Sequence, residues 1–325
     1  MKRLIVLAAV LLLAACGGTV TALNDDTALT EIDLLLAFVP DVQFAPYYVG
    51  IEKGYFTEAG FDVSITHLQE SEIARQVATN PDSIGVIGAQ QLLLGRAQGL
   101  DLPAVFEWYQ RYTIAIAAKE GAGITEPADL AGRVVGVPIR EGENYIGRLA
   151  LLQTQGLSED DIDLQATGFT QVETLVSDRA EAVVVYAVNE PTQLEARDVP
   201  VDVIYVSDYV DLVSNLLIVN SDLIAGSPDR VEAFVGAFAT ALRDTIDNPD
   251  EAFGIATQYV EGLDDPDVAP IARQVLDASV DLWDAEQLGY SELETWVNTQ
   301  DLLLSADLLT DEQDLEAAFT NAFLP

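Results

Sequence analysis

The sequence predicts an α/β fold in two lobes, each an open, mostly parallel sheet flanked by helices, with two crossings of the chain between them. Three observations predict it. Short continuous apolar runs alternate with helical segments, the pattern of strands buried on both faces in a parallel sheet. The alternation occurs twice, and 325 residues at roughly 150 per domain suit two cores. Two extended apolar stretches, residues 113–118 and 212–220, bracket the second unit and read as the crossings. The second lobe then covers residues 118–213, and the first combines residues 31–117 with 214–325.

The run Leu34-Leu35-Leu36-Ala37-Phe38-Val39, ended by Pro40, is the first strand. A helix follows through residues 47–53 and stops at Gly54. Residues 61–65 alternate like a second strand, and Ser71 is placed to cap a helix over residues 72–78. Residues 83–87 form a third strand, 90–98 a helix and 105–109 a fourth strand. In the second unit, residues 127–130 start a short helix, 133–137 a strand, and 143–155 a helix ended by Gly156. Residues 182–186 and 201–206 are further strands. From Ser227 the chain turns helical: Pro228 suits a first turn, and Val231, Phe234, Val235, Phe238 and Leu242 make one stripe. Further amphipathic segments surround residues 271–282, 293–297 and 315–323, and these helices are expected on the first lobe.

The N-terminus carries a targeting pattern. Lys2 and Arg3 precede an apolar run over residues 4–15, too short for a comfortable membrane span. The run ends in Leu13-Ala14-Ala15-Cys16-Gly17-Gly18, which resembles the bacterial lipoprotein box. That resemblance implies a signal peptide over residues 1–15, lipid on Cys16, and a polar tether over residues 16–30. The body is then held to the cell membrane on its extracytoplasmic side.

Composition excludes several functions. Asp and Glu number 54 against 15 Lys and Arg, a formal net charge of −39. A nucleic-acid binder needs cations to displace counterions from phosphates, so no nucleic-acid partner is expected. Cys16 is the sole cysteine and His67 the sole histidine, so zinc sites built on those residues lack ligands. No resident metal or cofactor is expected. His67 reads as a surface residue just past a strand.

In open α/β sheets, ligands sit beyond the carboxyl ends of strands. That rule nominates Asp41, Gln43, Phe44 and Tyr47 after the first strand, Gln90 after the third, and Trp108 and Tyr109 at the end of the fourth. In the second lobe it nominates Tyr145, then Tyr186, Asn189 and Glu190, with Asn215 near the second crossing. Aromatics are only 8% of the chain, so their gathering at strand ends is a signal. Flat rings stack on aromatic faces, and Gln, Asn and Glu bond a heterocycle's edge. The expected ligand is a planar, polar-edged ring system. The same aromatics also suit a core or a lobe interface.

Gln43-Phe44-Ala45-Pro46-Tyr47-Tyr48, followed by Glu52-Lys53-Gly54-Tyr55-Phe56 and Gly60-Phe61-Asp62-Val63, resembles the opening of one binding-protein family. It groups fungal thiamine-pyrimidine synthases with bacterial substrate-binding proteins of ABC importers for thiamine precursors, alkanesulfonates and riboflavin. Ala128-Asp129-Leu130-Ala131-Gly132-Arg133 looks like its second-lobe start, and Asn189-Glu190-Pro191 its ligand side. The resemblance spans residues 31–245. It implies a type II periplasmic-binding-protein clamp that closes on a ligand and hands it to a membrane permease, most simply as a monomer and without chemistry. Pyrimidine-binding members usually carry His where this chain has Phe44, and the synthases use His-, Lys- and Cys-based chemistry that these residues do not match. The similarity runs closest to the riboflavin-binding branch. A thiamine pyrimidine precursor is the alternative ligand, and a pyrimidine synthase the alternative from another class.

Overall fold

The computed structural model describes residues 28–325. The expected signal segment, Cys16 and most of the tether lie outside the described residues. The first lobe opens with β1 (Thr30–Ala37), a 3₁₀ turn at Val42–Phe44, α1 (Ala45–Glu52) and α2 (Tyr55–Glu58). Then come β2 (Phe61–Leu68), α3 (Glu70–Thr79), β3 (Ser83–Gly88), α4 (Ala89–Ala97) and β4 (Ala104–Glu107). The second lobe holds β5 (Ile114–Lys119), β6 (Val134–Val137), α5 (Gly142–Gln153), β7 (Asp163–Ala166), α6 (Gln171–Val176), β8 (Ala182–Tyr186), α7 (Glu190–Glu195) and β9 (Val201–Tyr205). The chain returns through β10 (Asn215–Ile218). It ends in α8 (Ser221–Gly226), α9 (Pro228–Asp247), α10 (Pro249–Ala256), α11 (Ala269–Trp283) and α12 (Leu293–Ser305).

The two sheets share one plan. Their strand orders are β2-β1-β3-β10-β4 and β7-β6-β8-β5-β9. Four strands in each run parallel to one another, and the fourth position in the order is filled by an antiparallel strand arriving from the other lobe. β5 follows the first crossing, residues 108–113, and β10 follows the second, residues 209–214. Each stretch predicted as a crossing therefore holds the strand that a crossing delivers. Residues 114–117, assigned above to lobe 1, pair in the second sheet.

Leu34, Leu35 and Leu36 have no exposed surface. Leu35 joins Ile73 and Val77 of α3, and its neighbours join Phe234 of α9 on the other face. This is why β1 reads as an unbroken apolar run. The run nevertheless stops at Ala37, because Phe38 turns into the left-handed region at φ 73°. α9 clamps α1 through stacked rings, with Phe238 on Tyr47 (4.5 Å between centroids) and Phe234 on Phe56 of α2 (4.9 Å). α5 lies close on the first crossing and β5: a Cβ at Gly147 would stand 3.0 Å from Tyr112 and 2.7 Å from Ile114. The largest core runs continuously between the lobes through Tyr112, Ile114, Val213 and Leu216. α12 braces it, with the Val213 N–H donating to Thr299 Oγ1 at 3.1 Å.

Several elements differ from the sequence expectation. α3 begins at Glu70 with Gln69 as its cap, so Ser71 sits in the first turn. β7 was not expected: of its four residues only Leu164 is buried. The amphipathic residues 315–323 form no helix; Phe319 instead bridges to Ala104 and stacks on Trp296 at 4.9 Å. Trp108 and Tyr109 lie beyond β4, in the first crossing.

Candidate functional site

The carboxyl ends of the strands face a cleft between the lobes. Asp41 folds the chain leaving β1: one Oδ1 accepts the Gln43 backbone N–H and side-chain amide, each at 3.0 Å. That 3₁₀ turn sets Gln43 and Phe44 at the cleft wall. The half-buried His67 lies within β2, donating from Nδ1 to the Phe38 carbonyl at 3.1 Å with its ring edge-on to Phe44 at 5.3 Å. It thus supports the wall and is not a surface residue past a strand. Trp108 tilts over Phe44, 5.8 Å between centroids, and rests on Trp283 behind. From the second lobe come Asn144, Phe169, Gln171, Tyr186, Asn189 and Glu190. Phe38 and Phe169 meet edge to face at 5.2 Å, so an aromatic pair from opposite lobes marks the mouth. The cleft encloses about 540 Å³ of empty space, its mouth included.

The electrostatics suit an uncharged ligand. Among the described residues no lysine, arginine or histidine lines the cleft. Glu190 is its buried carboxyl; it accepts from the Tyr186 N–H (2.9 Å) and the Gln171 amide (3.2 Å). Desolvation raises it to about 7, with its own backbone N–H and that of Tyr186 opposing. Three buried polar atoms on the walls find no partner among the described residues: Asn144 Oδ1, Asn215 Oδ1 and Trp108 Nε1. Buried groups left open in this way are the ones a ligand's edge satisfies. No metal-holding cluster of His, Cys, Asp or Glu occurs among the described residues.

Eight of the twelve nominated residues line the cleft: Gln43, Phe44, Trp108, Tyr109, Tyr186, Asn189, Glu190 and Asn215. Four do not. Asp41 shapes the Gln43 turn. Tyr47 has no exposed surface and lies between Trp108 and Phe238. Gln90 is wholly buried and donates to Tyr112 Oη at 3.0 Å and the Val213 carbonyl at 3.2 Å, tying the crossings together. Tyr145 turns away: its hydroxyl donates to Glu159 at 2.8 Å and its ring lies under Arg148. Asn144, beside Tyr145 in the same ligand-side stretch of the sequence, lines the cleft as well, while Phe38, Phe169 and Gln171 were not nominated.

With that geometry established, comparison with known proteins adds a lineage. The family model described as NMT1/THI5 like matches residues 41–252. The chain belongs to that family. It is 36% identical to the riboflavin-binding protein RibY of Chloroflexus aurantiacus over 320 residues, covering 96% of this chain and 91% of that one. It is 26% identical over 331 residues to the formylaminopyrimidine-binding protein of Halalkalibacterium halodurans, covering 98% of each. Among solved structures, the periplasmic aliphatic sulphonate binding protein SsuA of Escherichia coli superposes with a TM-score of 0.72 at 12% identity, over 89% of this chain and 96% of that one. The fold is that of the two-lobed periplasmic binding proteins.

The buried carboxyls set a pH signature. Burial raises Glu190 and Glu107 to about 7, and Glu70, facing the start of α5, to about 8. Each binds its proton more tightly folded than unfolded. Stability is therefore greatest near the unfolded carboxylate pKa and falls as pH rises through the folded values. Surface carboxylates held low, such as Glu181 and Asp161, act only at the acid end. Thermal melts of the ligand-free protein should show Tm falling between about pH 5 and about pH 8.5, a fall reduced by Glu107→Gln and Glu190→Gln together. A Tm that rises across that window would contradict the assignment.

Proposed function

We propose that this chain captures riboflavin, or a close flavin, in the interlobe cleft and delivers it unchanged to an ABC permease. The cleft supports this reading: aromatic rings and unpartnered polar atoms line it, and among the described residues no cationic side chain does. A tricyclic ring with a polar edge uses all three features. Phe44 and Trp108 offer ring faces from lobe 1 and Tyr186 and Phe169 from lobe 2, while Glu190, Asn215 and Asn144 answer edge donors. The 36% identity to RibY over nearly the whole of both chains is the observation that carries the choice of flavin. A ligand touching both lobes favours the closed arrangement by its differential affinity, which gives a permease a closed form to recognise.

The N-terminal pattern supports a lipid anchor on Cys16 and a place on the extracytoplasmic face of the membrane. The bound molecule undergoes no reaction in this proposal, and one copy of the chain suffices. A thiamine pyrimidine precursor is the second reading, favoured by the relative at 26% identity. A single pyrimidine ring would cover less of the aromatic wall.

Riboflavin titrated into the protein should lose fluorescence as it stacks, with binding at micromolar concentrations or tighter. Trp108→Ala should weaken binding by about tenfold or more. No quenching up to tens of micromolar riboflavin, with an aminopyrimidine bound instead, would shift the choice to the second reading. Cys16→Ser should move the protein from the membrane fraction to the soluble fraction and leave riboflavin affinity unchanged; retention in the membrane would refute the anchor.

A further inference from the structure

Beside the aromatic cleft lies a second chamber of about 490 Å³, its open side included. Ala37, Phe38, Asn144, Phe169 and Tyr186 line both, so the two chambers are immediate neighbours. The second chamber has a different character. Gln69, Glu70 and Gln91 of lobe 1 face Glu141, Gly142 and Glu143 of lobe 2 across it. No basic side chain among the described residues lines it. Two buried oxygens, Glu70 Oε2 and Asn144 Oδ1, have no partner among the described residues.

Glu70 also covers a helix terminus. Its Oε1 stands 3.3 Å from where a side chain on Gly142 would begin. Gly142, at φ 71°, opens α5 without a Cβ and so permits that approach. Free N–H groups at a helix start ordinarily attract anions. Here the protein's own carboxyl occupies the place.

We propose that this chamber is a subsite for an uncharged, hydroxyl-bearing arm of the ligand, and that it refuses an arm ending in phosphate. The proposal rests on the flavin reading for the ring alone: a ribityl chain carries such hydroxyls, and its 5′-phosphate carries the refused charge. A hydroxyl donates to an orphaned oxygen and restores the hydrogen bond that burial leaves unmade. A phosphate at neutral pH brings acceptors to a wall of acceptors, sheds its water and meets no cation.

Titration reinforces the exclusion. Burial, with Glu143 and Glu141 adding to it, raises Glu70 to about 8, against the N–H groups of Gly88 and Glu143. Near neutrality Glu70 keeps its proton and offers a hydroxyl both a donor and an acceptor; above its pKa it adds a negative charge. Burial raises Glu143 as well. The phenols facing Glu70, Tyr112 and Tyr186, are raised well above their ordinary value and stay neutral. Glu190 titrates in the same range, but it faces the ring that riboflavin and its phosphate share.

Fluorescence titrations of the full chain with riboflavin, riboflavin 5′-phosphate and lumiflavin (the ring with a methyl in place of the ribityl chain) test this. Riboflavin should bind about 100-fold tighter than its phosphate at pH 7, and about tenfold tighter than lumiflavin. The gap to the phosphate should widen by about pH 9, and Glu70→Gln should abolish the widening. Gln69→Lys, at an exposed position on the rim, should narrow the gap by about tenfold. Lumiflavin binding while riboflavin and its phosphate bind equally would overturn the subsite and leave the flavin reading intact. If no flavin binds, the flavin reading falls, and an aminopyrimidine and its phosphate carry the same contrast: preference for the uncharged form upholds the subsite, and equal affinity overturns it.

Discussion

The cleft depends on the hydrogen bonds around Glu143. This carboxyl is buried in the first turn of α5 and accepts from Tyr186 of β8 at 2.7 Å and Ser214 of the second crossing at 2.8 Å. Its backbone carbonyl accepts from Tyr112 of the first crossing at 3.3 Å. One residue thus joins the second lobe to both crossings. A buried carboxyl deprived of its donors is strongly disfavoured, so the arrangement has a steep preference for one geometry. Gln90 completes it from the first lobe by reaching Tyr112 and Val213. Tyr186 is both a donor to Glu143 and a wall of the cleft, so the junction and the binding surface are mechanically one unit.

The shared sheet plan explains why the cleft lies where it does. Each lobe accepts one antiparallel strand from a crossing, so the crossings run beside the carboxyl ends of the parallel strands in both sheets. The loops after β1 and β8, the start of α5 and the aromatic crossing residues Trp108 and Tyr109 must then converge. Aromatic layers behind the wall, with Tyr47 on Phe238 and Trp108 on Trp283, hold the front rings in place without ligand. Preorganised rings lose little conformational freedom on binding. The acidic exterior plays no direct part in the cleft, which is lined by uncharged and raised-pKa groups.

Much of this was legible in the sequence, for physical reasons. Strands such as β1, β3 and β8 are buried on both faces and so stand out as apolar runs. The edge strand β7 has one buried residue and leaves no pattern. The strand-end rule located most of the cleft because loops after parallel strands converge whatever their sequence. It failed where direction matters. Asn144 and Tyr145 are neighbours on α5, but successive side chains point about 100° apart around a helix, so one faces the cleft and the other faces Glu159. Tyr47 and Asp41 lie one layer behind the wall, a depth that chain order does not reveal. Phe169 sits in a loop without periodicity, and its contact with Phe38 joins residues 131 positions apart across two lobes, which only the folded arrangement creates.

A crystal structure of the protein with riboflavin tests the central claim most directly. The account predicts an intact isoalloxazine ring held between Phe44 and Trp108 on one side and Tyr186 on the other, with Glu143 still joined to Tyr186 and Ser214. A ring bound outside the interlobe cleft, or a cleft filled by the protein's own side chains while flavin binds elsewhere, would contradict it.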